Sequence, residues 1–385
     1  MKSGIVLYYT TAFLIYIISL PFLFFLLFKS KFKHSVPARF FLKNNPPFKE
    51  SGIWFHACSL GEAKSLSPII EELKNEKINI SVITQTGYEE AKKLQADVRY
   101  LPYEIFIPFW IKKNKALIIL EAELWYLPLV LSKKQGAKTV LLNARMSDRS
   151  FKRYLKMKWF YSMIFKNIDI VFAQSQTDRN RLLELGAGHV EVIGNIKMFQ
   201  KITCKNKFKK PDELIITAAS THEGEEELII DAFFEYGNGK LIVVPRHPER
   251  FEKVYKLIQQ KAKKSNKSFH RFSQREDFDS DIVLVDKMGE LIEIFAITDV
   301  VILGGSFVPV GGHNPLEPEK FGCKLITGHH IFNQNAIFSG LENVIFSDND
   351  KITDSLKKAE NMDGVKIKHM PNIEHITQKL KEQII

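Results

Sequence analysis

Residues 3–28 contain no charged side chain. The apolar run 5–28 would be about 36 Å long as a helix, which crosses a hydrocarbon core of about 30 Å with some tilt. Pro21 inside it is tolerated in a membrane helix. Lys29, Lys31, Lys33, His34 and Arg39 follow, against Lys2 alone in front. Basic flanks stay on the cytoplasmic side, so residues 1–33 read as a membrane anchor with the bulk of the chain cytoplasmic. A cleaved signal peptide fits less well, because the run is too long and no small-residue cleavage site follows it. Crossing the bilayer and lying in its interface both remain open.

From Gly52 the pattern changes to short apolar runs alternating with helical periodicity. Runs at 53–58, 80–84, 116–121, 139–143, 168–174 and 190–193 read as strands, with helices at 62–75, 89–94, 125–134 and 178–185. A polar, basic stretch at 203–212 follows, with Lys205, Lys207, Lys209, Lys210 and Pro211, and reads as a linker. The alternation then restarts. Strands are expected at 214–219, 241–245, 282–286, 300–303, 324–327 and 344–346, and helices at 223–236, 250–264, 289–298 and 333–341. Such alternation argues parallel sheets covered by helices on both faces. The expected organisation is an α/β domain over 34–202, the linker 203–212 and a second α/β domain over 213–385. Ligands of open parallel sheets bind beyond the carboxyl ends of the strands, and with two such sheets the natural site is the cleft between the domains.

The length, 385 residues, fits two or three domains. Lys and Arg number 55 and Asp and Glu 44, a net charge of +11. Cys58, Cys204 and Cys323 are too few and too scattered for a disulfide framework or a Cys-based zinc site. Part of the basicity lies in Arg149, Lys152, Arg153, Lys156 and Lys158, interleaved with Phe151, Tyr154, Trp159 and Phe160. Two readings stand: an amphipathic helix on an anionic membrane surface, or a solvated face whose aromatics are core. No nucleic-acid-binding motif is present, and the anchor already accounts for the charge. There is no Gly-x-Gly-x-x-Gly and no P-loop, which disfavours dinucleotide oxidoreductases and NTPases. Asp279-Ser280-Asp281 has the spacing of a metal-chelating pair but reads as a polar turn, and His329-His330 lacks the spacing of a zinc helix. No metal and no cofactor are expected.

Five motifs could carry chemistry. Ser59-Leu60-Gly61-Glu62 places Glu62 in the first turn of a helix, whose N-terminus would favour the ionised form. There it is either a general base for a hydroxyl or an ordinary helix-start Glu beside a Ser cap. Glu121-Ala122-Glu123-Leu124-Trp125 ends a strand, and strand alternation would put both acids on one side. They are either paired for acid–base or charge-stabilising work, or one buried and paired acid beside a solvated cap. Arg246, in Pro245-Arg246-His247-Pro248-Glu249-Arg250, could grip a phosphate or carboxylate with its planar fork. In Asp286-Lys287-Met288-Gly289-Glu290-Leu291, Gly289 and the following helix start could offer N–H groups to a phosphate. The loop from Gly304-Gly305-Ser306 through Gly311-Gly312-His313-Asn314-Pro315-Leu316-Glu317 lets backbone approach a ligand closely.

Taken together, these blocks resemble the 3-deoxy-D-manno-octulosonic acid (Kdo) transferases that act on lipid A. The resemblance runs from Trp54 to Asn333 and is carried by Trp54-Phe55-His56-Ala57-Cys58-Ser59-Leu60-Gly61-Glu62, the Glu121–Trp125 block, Asn143-Ala144-Arg145-Met146-Ser147, Gly194-Asn195-Ile196-Lys197, Ser220-Thr221-His222-Glu223, the Pro245–Arg250 block and the glycine-rich loop. It implies a GT-B glycosyltransferase, two Rossmann-like domains with a cleft between them plus an N-terminal membrane-anchor helix. It implies CMP-Kdo as donor, held by the second domain, and a lipid A precursor, lipid IVA, as acceptor, held by the first at the inner-membrane surface. Transfer would invert the anomeric centre without a metal, in lipopolysaccharide core biosynthesis. By the same resemblance Glu62 is the general base and Glu123 and Lys197 assist the transition state. Pro245, Arg246, Met288, Gly289, Glu290, Asn314, Pro315, Leu316 and Glu317 bind CMP. This chain departs from the family pattern at Tyr126-Leu127-Pro128, at Met146 and at Thr327-Gly328-His329-His330. The alternatives are another GT-B glycosyltransferase or epimerase using a different nucleotide sugar, and a membrane-tethered binding scaffold.

Overall fold

A computed structural model describes residues 2–199, 202–205, 207–368 and 371–384. The chain folds into two compact units, Met1–Gln200 with Pro371–Ile385, and Lys201–Met370.

In the first unit, β1 (Ile53–Ala57), β2 (Ile78–Val82), β3 (Asp97–Tyr100), β4 (Ala116–Leu120), β5 (Lys138–Ala144), β6 (Ile170–Ala173) and β7 (Val190–Val192) form one sheet in the order β3-β2-β1-β4-β5-β6-β7. Its pairings are parallel; Trp54 of β1 lies between Asn79 of β2 and Leu117 of β4. Every residue of β1 and β4 is buried, because helices cover both faces, and such strands read as continuous apolar runs. Phe55, Ile80 and Ile118 pack into the core on one face, while Trp54, Leu117 and Leu141 pack on the other. The strand order reverses between β1 and β4, so the loops after these two strands flank the crevice where open α/β sheets take ligands.

The second unit repeats the plan with β8 (Ile215–Thr221), β9 (Lys240–Pro245), β10 (Phe269–Arg271), β11 (Ile282–Leu284), β12 (Val300–Leu303), β13 (Lys324–Thr327) and β15 (Val344–Phe346), in the order β10-β11-β9-β8-β12-β13-β15. Two short strands, β14 (Leu341–Glu342) and β16 (Lys366–Ile367), pair antiparallel beside it. Here the order reverses between β8 and β12. The expected α/β class is therefore the observed one, in both halves.

Several expected boundaries move. The helix expected over 62–75 is two helices, Leu60–Ser65 and Ser67–Glu72, since Pro68 has no N–H to continue the first. The second domain does not run to residue 385. Helix Ile373–Ile384 buries Ile376 and Leu380 in the core of the first unit, with Ile69, Ile70 and Leu73, and Lys379 pairs with Glu191. The expected linker is also partly structural: Phe208 packs edge-on against Phe272 and Phe278 of the second unit.

Among the described residues, one helix, α1 (Lys2–Leu27), is long and apolar enough to cross a membrane. One side of it is docked on the first unit. The Tyr8 hydroxyl donates to Glu104, Tyr9 donates to the Ile105 carbonyl at 2.9 Å and Tyr16 to the Phe40 carbonyl at 2.7 Å. Its other side exposes Leu7, Leu14, Ile18, Phe22 and Phe25. The basic aromatic segment divides between its two readings. Phe151, Tyr154 and Phe160 pack on the core, whereas Lys152, Arg153, Lys156 and Lys158 are exposed beside Trp159, 71% exposed. Phe160 also stacks on Tyr8 of α1.

Candidate active site

Beyond β1, Ser59 caps helix Leu60–Ser65: its Oγ accepts the Glu62 N–H at 3.3 Å, and its hydroxyl donates to Glu62 Oε1 at 2.8 Å. The Cys58 N–H donates to the other oxygen, Oε2, at 2.8 Å. This is a reciprocal cap of the capping-box kind, so the helix-start reading of Glu62 is correct. It is not the whole account. Glu62 is 7% exposed; burial first, then the neighbouring Glu121 charge, push its pKa up to about 7, against the pull of the Cys58 and Ser59 hydrogen bonds. The helix start does favour the ionised form, through the Cys58 and Ser59 hydrogen bonds, but burial and Glu121 outweigh it.

The acids after β4 do not follow strand alternation. The strand ends at Leu120, and Glu121 adopts a left-handed backbone, φ +57°, an uncommon state for a side chain of this kind. Lys197 pairs with Glu121. Lys197 sits in the short turn Ile196–Phe199, anchored where the Ile196 N–H donates to Asn143 Oδ1 at 3.0 Å; Asn143, at the end of β5, is also left-handed. Glu123 and Glu62 raise the proton affinity of the Cys58 thiol, after burial itself. Arg39 joins from the segment after α1. Burial lowers its pKa to about 10, against the charge of Glu123, and its Nε donates to the Leu101 carbonyl at 3.0 Å. Glu62, Glu121, Glu123, Lys197 and Arg39 thus meet at the carboxyl ends of β1 and β4. Sequence reasoning missed Arg39, which it counted only as part of the positive flank of the anchor.

In the second unit every expected donor-side residue lies at or beyond a strand's carboxyl end. Pro245, at the end of β9, is buried and Arg246 exposed, its N–H donating to the Thr221 carbonyl at 3.0 Å. Met288 is exposed, Gly289 is left-handed at φ +91°, and Glu290 is buried with Lys207 Nζ at 3.0 Å. Asn314 Oδ1 accepts the Leu316 N–H at 3.2 Å at the start of helix Leu316–Glu319. Pro315 and Leu316 are buried and Glu317 half-buried.

Two features of this half were not legible. Glu225, fully buried, accepts N–H bonds from His222 (2.8 Å), Gly305 (2.8 Å), Ser306 (3.0 Å) and Phe307 (2.9 Å). The glycine loop is therefore held by a carboxylate, and these N–H groups are already used. The signal was the run Glu223–Glu227 opening a helix directly after β8. Second, His313 stacks on His222, with their Nε2 atoms 2.9 Å apart, and His247 lies edge-on at 5.3 Å. A Cβ at Gly305 would come within 2.9 Å of the His313 ring, so the close packing requires glycine. Burial, then His222, Arg246 and His247, lowers the His313 pKa to about 4. Burial shifts His222 the same way, so the stacked imidazoles are uncharged near neutral pH and the cation beside them is Arg246.

Asp281 is bound by the Ser268 N–H and hydroxyl and by Lys267, the polar turn expected from the sequence. Among the described residues no group of three His, Cys, Asp or Glu side chains is arranged to hold a metal.

Residues 34–200 match the family described as 3-deoxy-D-manno-octulosonic-acid transferase (kdotransferase). The chain is 35% identical over 322 residues to the 3-deoxy-D-manno-octulosonic acid transferase of Haemophilus influenzae, covering 76% of this chain and 74% of that one. It is 33% identical over 312 residues to a bifunctional glycosyltransferase/methyltransferase of Fusobacterium nucleatum, covering 74% of this chain and about half, 48%, of that protein's length. Among solved structures, UDP-GlcNAc 2-epimerase from Neisseria meningitidis bound to UDP-GlcNAc superposes with a TM-score of 0.57 at 13% identity, covering 86% of this chain and 99% of that one. That likeness speaks to the fold, which is GT-B.

Proposed function

Because this chain belongs to the 3-deoxy-D-manno-octulosonic acid (Kdo) transferase family and is a glycosyltransferase, we propose that it transfers Kdo from CMP-Kdo to a lipid A precursor, lipid IVA, inverting the anomeric centre without a chelated metal. The observation that carries this reading is Glu62: a buried carboxylate held near neutrality at the switch point of its sheet. A base whose pKa lies near the working pH is both available as carboxylate and strong enough to take a proton. Glu62 removes the proton from a sugar hydroxyl of the acceptor. The hydroxyl oxygen attacks the anomeric carbon of Kdo as the bond to the CMP phosphate breaks, and CMP leaves with the electron pair.

Lys197, steadied by Glu121, and Glu123 assist as charge moves. Pro245, Arg246, Met288, Gly289, Glu290 and the Asn314–Glu317 turn hold CMP, with the exposed Arg246 on its phosphate. Arg246 as a cation, and the neighbouring imidazoles as neutral hydrogen-bond donors, favour the departing anion. In this reading the first unit lies on the cytoplasmic side of the inner membrane, supported by the apolar outer side of α1, Trp159 and the exposed lysines.

The test is purified full-length protein with CMP-Kdo and lipid IVA, read by mass spectrometry, with and without excess EDTA. The expected result is lipid IVA heavier by Kdo, equal release of CMP and no loss in EDTA. Absence of a Kdo adduct, or product formed instead from a UDP-sugar in a donor panel, overturns the proposal.

A further inference from the structure

In the first unit a groove of about 570 Å³ lies between α1 and the chain that follows it. Phe22, Leu26, Phe32, Val36, Phe40 and Ile83 give it apolar walls. Its charged lining residues are Lys31 and Arg39; no carboxylate lines it. Ile15 and Phe22 line it and also belong to the exposed side of α1, so the groove opens on the surface a bilayer would cover. Another part of its wall is Thr84. The Thr84 hydroxyl donates to the Cys58 carbonyl at 3.2 Å, and the N–H of the same Cys58 holds Glu62 Oε2. The groove therefore reaches from the exposed apolar side of α1 to the backbone that carries Glu62.

We propose that this groove holds a fatty acyl chain of the acceptor, placing the acceptor's anionic head beside Glu62; the inference rests on the acceptor reading above. An apolar channel open to a bilayer is filled most favourably by hydrocarbon. Two cations and no acid match an anionic amphiphile rather than a neutral one. Continuity with the Glu62 loop selects the acceptor's own chain over bulk phospholipid.

Thr86 and Ser19 line the groove from its two sides, and neither has a part in the proposed chemistry. Thr86→Trp and Ser19→Trp are tested in the full-length protein with lipid IVA and with the same phosphorylated disaccharide stripped of its acyl chains. Each buried methylene changes affinity by roughly fourfold, so displacing two or more should raise KM for lipid IVA at least about tenfold. The KM for the deacylated acceptor stays within about twofold. Variants unchanged on both acceptors, or equally impaired on both, overturn the groove. A second arm does not need turnover: lipid IVA bearing a diazirine on an acyl chain should cross-link to the peptides holding Phe22 and Val36. Unlabelled lipid IVA should compete and phosphatidylglycerol should not; equal competition by phosphatidylglycerol overturns the assignment. If the wild type transfers to neither acceptor while the cross-link is competed as expected, the functional reading falls and the groove stands.

Discussion

At the switch point of the first sheet the loops after β1 and β4 gather Glu62, Glu121 and Glu123; at that of the second, the loops after β8 and β12 gather His222, His313 and the backbone of Gly305. The two sheets share a strand order that differs only at the edges, so backbone geometry does not explain the difference. Burial does, through the groups it acts on. In the first unit it raises the proton affinity of a carboxylate, making a proton acceptor. In the second, the buried carboxylate Glu225 is spent on four backbone N–H groups, and the groups left over are cations and imidazoles. In the proposed reading one half takes a proton and the other holds an anion.

The largest way to break this contrast is Glu225→Ala. It strands up to four N–H groups, and removing one partner of a buried polar set costs about 1–3 kcal/mol per group left unpaired. After partial relaxation the second unit should lose roughly 3–5 kcal/mol in urea unfolding, together with CMP binding. A loss below about 1 kcal/mol would mean that the loop holds itself. Arg246→Ala should leave unfolding unchanged and weaken CMP binding by about 1.5–3 kcal/mol, the range for a hydrogen bond to a charged group. Calorimetry that finds equal affinity would assign Arg246 elsewhere.

The third test is thermodynamic. Because the folded pKa of Glu62 is raised, from 4.5 to about 7, the folded state holds a proton that the unfolded chain has released. Wild-type stability should therefore fall as pH rises from about 4.5 to 7. Glu62→Gln removes that term, so the variant should gain roughly 1–3 kcal/mol on wild type between pH 4.5 and 8. Parallel stability–pH curves would show that Glu62 is not desolvated as described.

Much of the fold was legible because buried parallel strands announce themselves as short apolar runs. Strands β12, β13 and β15 were expected at the residues where they occur. β3 and β10 were missed: Asp97-Val98-Arg99-Tyr100 and Phe269-His270-Arg271 carry charge at sheet edges, where one side need not be apolar. The C-terminal stretch was assigned with the second domain, since an amphipathic pattern shows which face it buries but not against what. The site's local geometry was legible where it rests on neighbouring residues, as in the helix start at Ser59–Glu62. It was not where the determining partner is distant. Glu62 owes its proton affinity to burial and to Glu121, and His222 meets His313 across 91 residues. The local rule about helix N-termini named a real pull on Glu62 but missed the larger opposing effects for that reason.

The most direct test of the account is single-turnover transfer from CMP-Kdo to lipid IVA by wild type and by Glu62→Gln across pH 5–9, with CMP affinity measured in parallel. The wild-type rate should rise with pH through about 7 as Glu62 ionises. The variant should be slower by about 10²–10⁴-fold, lack that rise, and bind CMP as the wild type does. A variant rate within about threefold of wild type, with the same pH profile, would contradict the assignment of Glu62 as the base.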